Sequence, residues 1–299
     1  MRLFLAFCVL LLNGWISFPA HGQDLDVTDI VNATDTFTAD PSDANRTALV
    51  VALEAYTGEA TVQSVNAYVR LLMHDASGES GEHLVQSATL ATAHLEPVAD
   101  ILPKQYLEAR FLAAVARFND DPVPDLILEM AHVEGRARAY TDELGEQPDW
   151  ADSLKWKADA WGMAMEAYFD SARKRSPSDA EINAILATYP VPQDAADEST
   201  DGALPQCSGR MIQRPKMKYP TGKAMRGMYG AVILGFELDP DGRVVNPEIL
   251  ASVPIEEFDE RSLQTVGKWR FKPDDPDQVG ISCRLERSNV VQPLIFQIG

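Results

Sequence analysis

Cysteine is scarce: the chain has three in 299 residues, Cys8, Cys207 and Cys283. Histidine is nearly as sparse, with five. His74, His83, His94 and His132 lie apart, none in His-x3-His spacing, and no cysteine or acidic partner completes a zinc set. No Walker or dinucleotide loop occurs. Gly78-Glu79-Ser80-Gly81 is not a nucleophile elbow, because its second glycine follows the serine directly. These absences lead us to expect no enzyme, no cofactor and no metal. An envelope enzyme with an undetected site in the helical region is kept as an alternative.

Basic charge is also in short supply. The totals are 26 Lys+Arg against 45 Asp+Glu, a net of −19. Residues 205–299 hold 13 and 12 of these, which leaves 13 and 33 for residues 1–204. The acidic part argues against nucleic acid or anionic lipid, whose phosphates it repels.

Long apolar runs are missing after the N-terminus. Leu3 to Ile16 spans 14 residues, broken only by Asn13 and Gly14. A membrane-spanning helix needs about 20. Arg2 precedes the run, Pro19 follows it, and Ala20-His21-Gly22 has the small-x-small pattern of a cleavage site. Residues 1–22 therefore read as a signal peptide and the product as periplasmic. The alternative is an uncleaved anchor in the inner membrane, facing the periplasm. Cys8 leaves with a cleaved signal. Cys207 and Cys283 remain as an even pair in an oxidising compartment, and are expected to form a disulfide. In the chain-entropy picture such a bridge stabilises by roughly 4 kcal/mol.

Residues 23–42 are rich in Asp and Thr, with Asn32 among them, and read as a flexible lead-in. Residues 43–189 then show helical periodicity. The stripes are Val62-Val65-Val69-Leu72, Leu84-Ala88-Ala91-Leu95, Leu107-Phe111-Ala114-Phe118 and Leu126-Met130-Val133-Ala137. The longest runs from Trp150 through Leu154, Ala158, Trp161 and Met165 to Phe169 and Ala172; Ile182, Ile185 and Tyr189 end the series. About seven helices in hairpins, bundled or stacked as a small solenoid, are expected. Phe169, Ala172 and Pro177 are similar to the tail of a tetratricopeptide repeat. The stripe with Trp150 and Trp161 is expected to pack a core; a peptide- or glycan-binding groove is the other reading. Residues 190–205, rich in Pro, Asp and Ala, read as a linker.

Residues 206–299 read as a small α+β domain. Tyr219-Pro220 opens a short helix that Gly227 and Gly230 end. Val232, Leu234, Phe236 and Leu238 line one face of a half-buried strand. Asp239-Pro240-Asp241-Gly242 turns it into a hairpin. Ser252 is placed to cap the next helix, whose apolar side carries Phe258, Leu263, Val266 and Trp269. Ile281 to Leu285 and Val290 to Ile298 are the last strands, and Pro293, which lacks an N–H, makes the final one an edge or sits at its margin.

The string of Tyr219-Pro220, the two glycines, the Asp-Gly turn, Phe258-Asp259, Trp269-Arg270-Phe271-Lys272-Pro273 and terminal Phe296-Gln297-Ile298 resembles the TonB C-terminal domain family over residues 210–299. The resemblance implies an antiparallel sheet with one main helix, the whole chain being α+β and multidomain. It implies partner binding by strand addition at a sheet edge. It places the contact region at Arg214, Pro215, Tyr219 and Pro220 and on the last strand at Val290, Val291, Leu294 and Phe296. The partner would be an envelope protein or peptide, outer-membrane transporters included. A TonB-type energy transducer needs a retained anchor and a long Pro-rich rod. This chain has a signal-like start and a short linker, so transduction is the alternative to a periplasmic binding protein.

Overall fold

The computed structural model describes residues 25–78, 80–141, 145–189, 209–273, 284–285 and 287–297. The expected signal peptide and linker lie outside these residues, as do Cys207 and Cys283. The chain divides into two compact units, Met1–Glu129 and Met130–Gly299.

The first unit is helical. It holds α1 (Leu25–Ala39), α2 (Asp43–Ala55), α3 (Val62–Ser77), α4 (Gly81–Leu95) and α5 (Pro103–Asp120). α6 (Leu126–Ala139) begins at its end. Thr61 and Ser64 form a reciprocal cap on α3, and Pro103 opens α5 where its missing N–H costs nothing. Every member of the α4 and α5 stripes is buried.

Helix α1 corrects the expected lead-in. Ile30, Thr34 and Phe37 share one face at helical spacing, and all are buried. The helix-poor threonines return their hydroxyls to carbonyls four residues back, Thr34 to Ile30 at 2.7 Å and Thr38 to Thr34 at 2.7 Å. Packing against α2 and α3 outweighs weak intrinsic propensity.

In the second unit, α7 (Asp149–Ser171) and α8 (Asp179–Leu186) follow α6. Next come β1 (Arg210–Gln213), α9 (Thr221–Met225), β2 (Gly230–Leu238) and β3 (Val244–Val253). α10 (Asp259–Val266), β4 (Arg270–Lys272) and β5 (Arg287–Phe296) complete it. Among the described residues the strands form two antiparallel sheets rather than one: β3-β2-β5 and β1-β4. The hairpin turn closes as expected. Gly242 donates to the Asp239 carbonyl at 2.9 Å, and Asp239 Oδ1 accepts the Arg243 N–H at 2.8 Å. Gly242 has φ +72°, a left-handed conformation suited to glycine. Ser252 does not cap α10. It lies in β3, and Phe258 holds the cap position.

Strand β2 differs most from expectation, because both of its faces are buried from Gly230 to Phe236 and Glu237 alone is exposed. Val232, Leu234, Phe236 and Leu238 pack with Phe258, Val266, Trp269, Leu294 and Phe296, as the alternation predicts. The opposite face carries Ala231 and Ile233, which pack with Ala251 and Val253 of β3 and Ala160 and Ala164 of α7. Small side chains let the helix approach the sheet closely. The expected helical region of 43–189 thus supplies α7, α8 and most of α6 to the same unit as the C-terminal sheet, and α7 is the helix that packs on it.

Candidate partner-binding edge

Among the described residues β5 pairs with β2 alone, and no described strand lies along its other edge. Pro293 sits in it opposite Ile233. A proline has no N–H for a ladder, which suits the outer strand. Alternation then sorts the side chains. Val290, Leu294 and Phe296 lie opposite Phe236, Val232 and Gly230 and face the main core. Val291 and Ile295 point the other way and are 37% and 44% exposed. Leu294 and Phe296 are buried, so only their backbone is open to a partner.

The segment before α9 is tied to the same core. The Arg214 guanidinium lies 5.7 Å from the Trp269 ring centroid, and its own side chain is exposed. Pro215 is half-buried. The Tyr219 hydroxyl donates to the Met228 carbonyl. Its ring stands edge-on to Phe258 at 5.7 Å and to Phe296 at 5.9 Å. Pro220 caps α9. Tyr219 therefore links this segment to the end of β5, and the two regions expected to meet a partner share one core.

The histidines do other things. His94 Nε2 lies 2.8 Å from Ser64 Oγ. That hydroxyl already accepts the Thr61 N–H at 2.9 Å in the α3 cap, so it is a structural group. His94 stacks on Tyr68 at 4.2 Å, and burial holds its pKa below the usual histidine range. His132 Nδ1 meets the Tyr189 hydroxyl at 3.0 Å. Among the described residues no group of three or more His, Cys, Asp or Glu is arranged to hold a metal.

Two carboxylates went unnoticed in the sequence. Burial pushes Glu134 of α6 up to about 7, and the neighbouring Asp159 charge pushes the same way. Burial pushes Asp159 of α7 up to about 6. Arg138 and Lys155 partly offset both shifts. Nothing in one-dimensional spacing distinguishes these two acids from the many solvated ones.

Residues 215–288 match the family model described as Gram-negative bacterial TonB protein C-terminal. Protein TonB of Yersinia enterocolitica is 27% identical over 123 residues, 41% of this chain and 44% of that protein. Protein TonB of Escherichia coli (strain K12) is 31% identical over 90 residues, 30% and 34% of the two chains. Protein TonB of Pseudomonas aeruginosa is 33% identical over 72 residues, 24% and 21%. A solution NMR structure of the Pseudomonas aeruginosa TonB CTD is 24% identical and covers 32% of this chain and 94% of that one, with a TM-score of 0.27. The chain spans less than half the length of these curated relatives. The resemblance carried by the motif string thus holds over residues 215–288, which match the TonB C-terminal domain.

Proposed function

We propose that this is a TonB-type envelope protein whose C-terminal domain binds an extended segment of an envelope protein by strand addition along β5. The observation that carries the reading is the edge of β5 that no described strand covers, β5 being the outer strand of a sheet whose central strand is buried at every position but Glu237. Main-chain hydrogen bonds supply the affinity in this mode, so no fixed constellation of side chains is required. Export by a signal peptide and a Cys207–Cys283 bridge belong to the same proposal. Among the described residues no helix is long and apolar enough to cross a membrane.

The test uses envelope-protein peptides that the full chain captures. Each is resynthesised with N-methyl groups at alternate backbone nitrogens, in both alternations. One alternation should abolish binding and the other leave it nearly intact, because only one set of N–H groups faces β5. Equal binding by both methylated forms would remove strand addition.

A second reading, energy transduction with residues 3–20 retained as an anchor, is favoured by relatives that are all named Protein TonB. Fractionation separates the two readings: a mature species starting near Gln23 supports the first, and a full-length membrane-bound species supports the second.

A further inference from the structure

A groove of 450 Å³ opens on the α7-facing side of the β3-β2-β5 sheet, and nothing in the strand-addition reading uses it. Asp152 and Trp156 of α7 form one wall. Gly235 and Glu237 of β2, Glu248 of β3 and Val291 of β5 form the floor and the other side. Gly235 keeps the floor low: a Cβ there would lie 3.1 Å from Glu248 Oε1. Asn289 and Val291 carry the groove onto β5, the outer strand.

The charges in the groove do not balance. Asp152, Glu237 and Glu248 supply three carboxylates to its lining, and no Lys or Arg is among the described residues that line it. Lys155, adjacent on α7, pairs with Asp152 at 2.6 Å. Asp152 also accepts the Trp156 indole N–H at 3.2 Å, and Glu237 accepts the Asn246 amide at 3.1 Å. Neither the indole nor the amide carries charge, so among the described residues the Glu237 and Glu248 carboxylates have no cation paired with them. Trp156 adds an aromatic face. The Lys155 ammonium lies 4.1 Å from its ring centroid while bonded to Asp152, so the wall already holds one primary ammonium by the two contacts such a group favours.

We propose that this groove receives a lysine or arginine side chain of the segment added at β5. The inference rests on the strand-addition reading and deepens it by naming the chemistry of the partner. An added strand lies about 4.8 Å beyond β5. Alternate side chains of that strand face the α7 side. A lysine there lays its four-carbon stem over exposed Val291 and carries its ammonium towards Glu237 and Glu248. An acidic side chain at the same place meets two uncompensated carboxylates and is repelled. The groove therefore reads charge on one side of the strand, while the backbone edge stays indifferent to sequence.

The probes are two fluorescein-labelled peptides, Thr-Val-Thr-Val-Lys-Lys-Val-Thr-Val-Thr and the same sequence with Glu-Glu at the centre. The central pair places one charged residue on the α7 side in either register. Fluorescence anisotropy is read on the full chain and on its Glu237→Gln/Glu248→Gln variant, at low and at raised salt. Both substitutions are at exposed positions. The lysine peptide is expected to bind about tenfold tighter or more at low salt. That ratio should shrink towards one in the variant and at high salt. Equal affinity of the two peptides for the full chain overturns the groove while leaving strand addition standing. A preference that survives in the double variant also overturns it. Failure of both peptides to bind overturns the groove together with the reading beneath it.

Discussion

Arg46 of α2 holds both carboxylate oxygens of Asp75 of α3, Nε to Oδ1 at 2.9 Å and Nη2 to Oδ2 at 2.8 Å. Both residues are buried, at 5% and 4% exposed. The same guanidinium also donates to the His83 carbonyl at 3.2 Å and to Gln86, which ties α4 to the pair. A buried ion pair of this kind fixes geometry more than it adds stability, but removing one partner strands the other charge. Asp75→Ala is expected to cost about 3–5 kcal/mol in urea unfolding followed by circular dichroism. Replacing both residues, Arg46→Met with Asp75→Leu, should cost much less than either truncation alone. A mild Asp75→Ala phenotype would show that the pair carries little of the α2–α3–α4 packing.

The contact between α7 and the sheet is made of alanines, and alanine leaves no room for growth. Ala160 and Ala164 are both fully buried against Ala231, Ile233, Ala251 and Val253. Ala160→Leu should destabilise by about 1–3 kcal/mol through overpacking. A fragment of residues 205–299 loses α7 and bares this apolar face. It should bind a hydrophobic dye and self-associate more than a fragment of residues 146–299. Identical behaviour of the two fragments would show that α7 is dispensable to the sheet.

Gly230 stands where β2 starts beneath the end of β3. A Cβ there would meet the Val253 carbonyl oxygen at 2.0 Å and the Phe258 ring at 2.8 Å. Backbone cannot yield as a flexible side chain can. Gly230→Ala is therefore expected to lower stability by more than about 2 kcal/mol and to perturb near-ultraviolet dichroism from the Phe258–Phe296 stack, whose centroids lie 4.2 Å apart. Gly222→Ala is the control, since a Cβ at that glycine meets nothing within 4 Å.

How much of this was legible follows from where each signal resides. The α4 and α5 stripes are read correctly because an amphipathic helix writes its buried face into its own sequence. Pro293 marks β5 as an edge because a missing N–H is a local fact with a topological consequence. Helix α1 is hidden, since its four threonines and Asn32 carry poor helix propensity and the apolar residues at Ile30 and Phe37 are a thin sign of a buried face. The second face of β2 is misread as open. Gly230-Ala231-Val232-Ile233-Leu234-Gly235-Phe236 is a continuous apolar run, the pattern of a strand covered on both sides. What covers that face lies some 70 residues away in α7, and no local periodicity names a partner so distant.

Glu134 and Asp159 make stability depend on pH in the direction opposite to most carboxylates. Their folded pKa values are about 7 and about 6, both raised chiefly by burial. In the unfolded chain both return to the ordinary carboxylate range near 4. Between those limits the folded state binds more protons than the unfolded state, so stability falls as pH rises. Below about pH 4 both groups are neutral in either state and the penalty is absent. Above about pH 7 the penalty is fully present, because two charges stay buried with only Arg138 and Lys155 to compensate them. Glu134→Gln removes one of these charges and keeps the shape. It should stabilise the protein by about 1–3 kcal/mol at pH 7.5 and leave it nearly unchanged at pH 4. Urea unfolding of both proteins across that range checks the sign. A stabilisation of equal size at both ends would mean that Gln acts through packing, and a destabilisation at pH 7.5 would mean that the Glu134 charge is held by stronger partners than burial opposes.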